Sequence, residues 1–194
     1  GAHRLFPSLI DIEHCIQVSE KEGIQNPINP GVTRIPISAE DNKNIWDYLD
    51  HKKFLTRVAS RIQPIRHPQH RRYAHIDLAT QSLAGVAICH LAGAQYIEGL
   101  EKDGEPFAEY RLIVEYDFIL TICAGQNKPI NLGKIQKFFF WLRDMCGYSF
   151  GLITADMFQS EMPLQELEAK QFKVDKLSVD RDKFMEIQKF TYHR

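Results

Sequence analysis

The sequence has no excess of charge of one sign and no long hydrophobic run. Its 24 lysines and arginines nearly balance its 25 aspartates and glutamates, so affinity for a polyanion must come from a local basic patch. No apolar run approaches the roughly 20 residues that cross a bilayer, and no signal peptide opens the chain, so we expect no membrane partner. At 194 residues the chain can form one domain with a substantial core.

Paired cysteines and a nucleotide-binding loop are also missing. None of the four cysteines forms a Cys-x-x-Cys pair, which favours buried thiols in a reducing cytosol over a thiolate metal site. The chain has no Gly-x-x-x-x-Gly-Lys-Ser/Thr loop, so we do not expect it to hydrolyse ATP.

The chain is organised around a β-hairpin that is predicted over residues 73–89, where two apolar segments flank a turn of small and polar residues. Asp77 lies inside the first strand. A carboxylate there is costly unless an arginine or a metal ion pairs with it. A second apolar segment, residues 150–155, is followed directly by Asp156. The two segments predict that neighbouring strands present Asp77 and Asp156 to a divalent ion.

A basic segment over residues 61–72 precedes the hairpin, and it contains four arginines and two histidines. One interpretation is a solvated linker. A second is a rim that contacts a DNA backbone, with Arg66, Arg71 and Arg72 as the candidate residues, because arginine positions phosphates without reading bases. A third is that Arg71 or Arg72 forms a salt bridge with Asp77.

The remaining patterns predict alternating strands and helices. We expect a third strand over residues 110–123, a helix from Asn131 to about Cys146 that stops at Gly147, and a strand over residues 148–155 parallel to the first. A helix near Ser160, a strand over residues 172–179 and a final helix to about Tyr192 follow. Earlier in the chain, helices are predicted over residues 9–18, 38–49 and about 52–62.

The predicted order is three antiparallel strands followed by helix, strand, helix, strand and helix. This is the ribonuclease H-like order, an α/β mixed sheet in which strand one and the end of strand four carry carboxylates. Two Mg²⁺ or Mn²⁺ ions held there, about 3.5–4 Å apart, activate water and stabilise the leaving oxygen in phosphodiester cleavage. We expect residues 1–70 to be an N-terminal extension and basic linker packed on a nuclease domain over residues 71–194.

Four segments resemble the C-terminal nuclease domain of the large terminase subunit of tailed bacteriophages. They are His75-Ile76-Asp77-Leu78-Ala79, Val114-Glu115-Tyr116-Asp117-Phe118, Thr154-Ala155-Asp156-Met157-Phe158-Gln159-Ser160 and Leu177-Ser178-Val179-Asp180-Arg181. The resemblance covers roughly residues 70 to 190. It implies a two-metal-ion endodeoxyribonuclease that cuts concatemeric double-stranded viral DNA during genome packaging, with Asp77 and Asp156 as catalytic metal ligands.

The resemblance also implies partners and a location. The partners are double-stranded DNA, the packaging ATPase domain, the portal and the small terminase subunit, in the cytoplasm of an infected bacterial host. A third acidic ligand lies on a later element in that family. After Asp182 this chain offers only Glu186, so we expect the third ligand beyond Arg194 and the domain to be truncated at its C-terminus.

Two other functions stay open. A catalytically incomplete domain would dock DNA or the portal without cutting. A ribonuclease H-like enzyme acting on RNA–DNA hybrids or recombination junctions would share the metal chemistry, but the segments around Gln159 and Asp180 disfavour it. Asp156 could instead cap a turn. Asp117 is expected to have an outward-facing or hydrogen-bonded structural role, with a place in the metal site as the alternative. His75 is expected to lie on the opposite face of its strand from Asp77.

Overall fold

A six-stranded mixed sheet and two α-helices form the core of the part of the chain that the computed structural model describes. That part comprises residues 33–38, 41–80, 82–100, 104–124, 128–155 and 161–177. The strands are β1 (Thr33–Pro36), β2 (Leu55–Val58), β3 (Arg61–Pro64), β4 (Arg71–Thr80), β5 (Leu83–Leu100), β6 (Pro106–Cys123), β7 (Ser149–Ala155) and β8 (Val174–Lys176). The helices are α1 (Leu132–Asp144) and α2 (Glu161–Ala169).

The strand order of the large sheet is β1-β6-β5-β4-β7-β8, and β2 and β3 form a separate hairpin. Neighbours β4, β5 and β6 are antiparallel. The β4–β7, β7–β8 and β1–β6 pairs are parallel. The chain is therefore an α/β protein, and the predicted order of three antiparallel strands, helix, parallel strand, helix and strand is confirmed. The helices predicted over residues 9–18 and after Asp180 lie outside the described residues.

Helix α1 forms because its apolar residues recur with helical spacing. Ile135, Phe138, Phe139 and Leu142 are all buried, as the sequence predicts. Its end is set by Gly147, which has a φ of +70°, a left-handed conformation that glycine adopts without steric cost. A Cβ atom at this position would lie only 3.0 Å from the carbonyl oxygen of Ile62, so Gly147 also allows β3 to approach the helix end.

Two predicted helices are wrong. Residues 52–62 form a short 3₁₀ turn (His51–Lys53) followed by the β2–β3 hairpin, because β-branched Thr56, Val58 and Ile62 favour extended backbone. In the range 38–49, of which residues 38 and 41–49 are described, the helix is a 3₁₀ helix, Ile45–Tyr48, whose N-cap is Asn44 rather than Ser38.

The β5–β6 hairpin is much longer than the sequence predicts. Near the sheet centre, alternate residues of β5 such as Val86 and Ile88 are buried. Beyond Leu91, β5 continues to Leu100, and β6 returns from Pro106 paired with it. Nearly all described side chains in this distal part are at least partly exposed. We call residues 91–100 and 106–114 the arm. Its exposed apolar side chains include Leu100, Tyr110 and Leu112.

Candidate functional site

The parallel pairing of β4 with β7 positions the first candidate site. Ile76 is paired with Ala155 and His75 with Thr154. Because the strands are parallel, Asp77 is the next residue beyond this pair on β4, and Asp156 is the next residue in the sequence after Ala155. The predicted neighbourhood of the two strands is confirmed. Asp156 itself lies outside the described residues, so its role as a metal ligand stays a prediction.

Asp77 is exposed at this end of β4. Its partner across the β4–β5 pair is Gly85, where an added Cβ atom would lie 3.8 Å from the Asp77 Cβ. The expected alternative of a salt bridge to Arg71 or Arg72 does not hold, because six residues of extended strand separate Arg71 from Asp77 by about 20 Å, and Arg72 pairs elsewhere. The carboxylate is therefore open on the side of Gly85.

His75 lies on the same sheet face as Asp77, and the expectation that it faces the opposite way is wrong. Ala74 and Ile76 are buried in the core, so the alternating residues His75 and Asp77 share the other face. The Thr154 hydroxyl donates to the carbonyl of Ala74 (3.2 Å) and lies 2.9 Å from His75 Nδ1. The contact between Thr154 and Nδ1 leaves the Nε2 side of the His75 ring toward the face that Asp77 occupies.

The three arginines predicted to contact DNA have different environments. Arg71 is exposed at the start of β4. Arg66 donates two hydrogen bonds to Glu115, at 2.7 and 2.5 Å, and retains about a third of its exposure. Arg72 is fully buried. The prediction that Arg72 contacts a DNA backbone is therefore wrong, because its guanidinium has no surface to offer.

Arg72 is the centre of a buried polar network. Its five N–H groups are all used, in two bonds to the Asp117 carboxylate (3.2 and 3.3 Å) and three to the backbone carbonyls of Arg66, His67 and His70 (2.6–2.7 Å). Its guanidinium carbon also lies 5.1 Å from the centre of the Tyr148 ring. Asp117 thus has the structural role expected for it, and the network ties the segment before β4 to the sheet.

Two histidines and a glutamate extend this network toward the surface. His90 donates Nδ1–H to Asp117 Oδ2 at 2.8 Å, and its Nε2 lies 2.9 Å from His67 Nδ1. Glu115 Oε2 lies 3.7 Å from His67 Nδ1 and 3.5 Å from His90 Nε2. We call His67, His90 and Glu115 the His-His-Glu cluster. These residues could hold a metal ion.

The charges around this cluster shift several pKa values. Burial of Glu115 opposes ionisation, but the hydrogen bond and charge of Arg66 outweigh it, so the Glu115 pKa lies below its ordinary value. Partial burial lowers the pKa of His67, against the attraction of Glu115. The hydrogen bond to Glu115 raises the pKa of Arg66. At neutral pH the cluster therefore has an ionised carboxylate and a neutral His67.

Comparison with family models, with curated proteins and with solved structures finds no match to this chain. Neither described helix has the length and apolar character needed to cross a membrane. Cys89, Cys123 and Cys146 are free thiols; Cys123 and Cys146 are buried as expected, whereas Cys89 is only half-buried. Burial raises the pKa of Cys146 to about 12. That thiol is therefore protonated and unreactive at neutral pH.

Proposed function

We propose that this chain is a ribonuclease H-like, metal-dependent endonuclease domain that cleaves double-stranded DNA, with Asp77 and Asp156 as metal ligands. The register of β4 and β7 supports this proposal most strongly, because the paired residues Ile76 and Ala155 are each followed directly in the sequence by one of the two aspartates. We expect this parallel pairing to place both carboxylates at the same end of the two strands. The resemblance to the terminase nuclease domain supports the same assignment.

The environment of Asp77 suits a hard divalent cation. Its carboxylate is exposed, and Arg72, the buried guanidinium of the same strand, is used by Asp117. Mg²⁺ and Mn²⁺ prefer such carboxylate oxygens. When bound, these ions supply an activated water and charge stabilisation at the scissile phosphate. His75, on the same face about 6.6 Å along the strand, is available to orient a substrate or water by a hydrogen bond.

The proposal includes weak intrinsic affinity for DNA. The net charge is −1, and one of the three candidate phosphate contacts, Arg72, is buried. Arg66 and Arg71 lie toward the opposite end of β4 from Asp77. In the packaging motor that the resemblance implies, the ATPase domain, portal and small terminase subunit would hold DNA at a high effective concentration. Cleavage by the isolated chain should therefore fall steeply with added salt.

The test is cleavage of supercoiled plasmid at low salt with Mn²⁺, Mg²⁺ or EDTA. We expect metal-dependent nicking by the parent chain and only the EDTA background from Asp77→Asn and Asp156→Asn. Asp144→Asn is the matched control, because Asp144 is an exposed carboxylate at the far end of α1, where the chain enters β7. Equal loss in Asp144→Asn would show that the substitutions act through general charge.

A docking module is the second candidate, and the arm favours it. A soluble monomer rarely exposes many apolar side chains together without a partner, and Leu100 and Tyr110 each expose more than two thirds of their surface (71% and 74%). The module would bind DNA or the portal without cutting. Plasmid binding without metal-dependent nicking, including by a chain extended beyond Arg194, would favour this function over the nuclease.

A further inference from the structure

We propose that the His-His-Glu cluster binds one transition-metal ion of the zinc class, and that this ion fastens residues 65–70 to the sheet. The proposed ligand atoms are His67 Nδ1, His90 Nε2 and Glu115 Oε2. This site would be separate from the Asp77 site in position and in chemistry. The inference does not depend on the proposed nuclease function.

The separations of the three ligand atoms suit a tetrahedral ion. They are 2.9, 3.5 and 3.7 Å. Ligands placed about 2.0–2.2 Å from a tetrahedral zinc ion are about 3.3–3.6 Å apart. The nitrogen–nitrogen separation must therefore widen by only about half an ångström, and Glu115 must move by less. The fourth position would be left to water.

Hydrogen bonds already orient His90 as a ligand. Because its Nδ1–H donates to Asp117, its Nε2 carries the lone pair that faces the cluster. A carboxylate behind a metal-binding histidine fixes the tautomer in this way in many zinc sites. His90 is almost fully buried, and Asp117 is held in turn by Arg72. The ligand position of His90 is therefore set before any ion arrives.

His67 supplies the second ligand after a change of tautomer. Without an ion, its Nδ1–H donates to the lone pair of His90 Nε2. When the ion replaces that hydrogen bond, the proton moves to His67 Nε2 through solvent, and Nδ1 becomes the ligand. No net proton is released. The side chain of His67 is 35% exposed, so water can carry this transfer.

Glu115 is held ionised by Arg66. Arg66 donates to both carboxylate oxygens, and each oxygen keeps a second lone pair. The charges of Arg66 and Arg72 balance those of Glu115 and Asp117. Binding must therefore depend on the donor atoms rather than on excess negative charge, and imidazole donors favour zinc, cobalt or copper over Mg²⁺ and Ca²⁺.

The cluster lies away from Asp77. His90 is paired with Arg72, whereas Gly85 is paired with Asp77, a separation of about 17 Å along the strands. Arg72 also lies on the core face, opposite the face of Asp77. The segment that an ion would fasten contains His67 in a left-handed conformation, with φ of +43°. Such a conformation persists where the surroundings hold it, and three of the Arg72 hydrogen bonds do so already.

The experiment titrates the EDTA-treated, dialysed chain with Co²⁺ and then Zn²⁺. We expect one equivalent of Co²⁺ to give the visible absorption of a tetrahedral ion, and Zn²⁺ to displace it. His67→Ala should weaken binding by more than about 100-fold, since even loss of a supporting carboxylate costs about 10- to 100-fold. His70→Ala is the matched control, because the His70 ring stacks on His67 at 4.8 Å but is not a proposed ligand.

A second pair of variants distinguishes the loss of a metal ligand from the loss of the fold. Glu115→Gln should weaken Co²⁺ binding, whereas Asp77→Asn should leave the spectrum unchanged, with folding of each variant checked by circular dichroism. Equal Co²⁺ affinity in the parent, His67→Ala and Glu115→Gln chains would overturn the proposal. So would loss of the spectrum in Asp77→Asn alone, because the ion would then lie at the other site.

Discussion

The buried guanidinium of Arg72 should be one of the largest single contributors to stability in the described chain. In Arg72→Met the five hydrogen bonds of the guanidinium are lost. Asp117, only 7% exposed, would lose its guanidinium partner and keep the hydrogen bond to His90. Removing one member of a buried ion pair costs about 3–5 kcal/mol, because the remaining charge is left uncompensated.

We therefore expect Arg72→Met to lower the free energy of unfolding by about 3–5 kcal/mol, a large part of the roughly 5–15 kcal/mol typical of a domain. Arg72→Lys should cost less, since an ammonium restores the charge but offers only three donors. The assay is urea unfolding in EDTA, followed by circular dichroism and by tryptophan fluorescence. Coincident curves would justify a two-state analysis.

Arg71→Met is the matched control, because it removes the same side chain from the adjacent, exposed position of β4. It should change stability by no more than about 0.5 kcal/mol. A loss below about 1 kcal/mol in Arg72→Met would show that the buried ion pair with Asp117 does not stabilise the fold as expected. Equal losses in the Arg72→Met and Arg71→Met chains would show the same, since burial would then not matter.

Three further predictions concern the core and the pH dependence. Among the described residues the buried Tyr148 hydroxyl has no hydrogen-bond partner, so Tyr148→Phe should leave the free energy of unfolding unchanged or raise it by about 1 kcal/mol; a fall in urea unfolding would contradict this. Phe138→Ala removes a fully buried ring next to Phe118 and should cost about 3–5 kcal/mol by the same assay. The pKa of His67 in the folded chain lies below its ordinary value of 6.5. The stability that His67 contributes is therefore fully present above pH 6.5 and is lost as the pH falls through the pKa of the folded state. The difference in stability between the parent and His67→Ala should therefore change below about pH 6.5, and a constant difference would count against it.

The order of the elements along the chain from β4 to β8 was predictable because each of them has a clear local pattern. The apolar stripe of α1, with Phe138 and Phe139, fits only a helix, and residues 110–123 are too rich in β-branched and aromatic residues for one. The β2–β3 hairpin was missed because Phe54, Leu55, Val58 and Ile62 fit helical spacing as well as alternation. Strand β1 is four residues long, too short for any periodicity to show.

The two candidate sites also differ in whether the sequence alone reveals them. Asp77 could be predicted because a carboxylate inside an apolar strand is unusual in any sequence. The His-His-Glu cluster has no such signal, since the pairing of β5 with β6 brings His90 to Glu115, whereas His67 comes from a loop held by Arg72. Nor could the sequence reveal that Arg72 is buried, because its counter-charge, Asp117, is 45 residues away.

The most direct test of a catalytic metal at Asp77 compares the nicking of supercoiled plasmid by the parent and Asp77→Asn chains in Mn²⁺ at low salt. We expect nicking by the parent that EDTA abolishes and that Asp77→Asn reduces to the EDTA background. This expectation would be contradicted by nicking that Asp77→Asn leaves unchanged. It would also be contradicted if the chain, alone and extended beyond Arg194, gave no metal-dependent nicking.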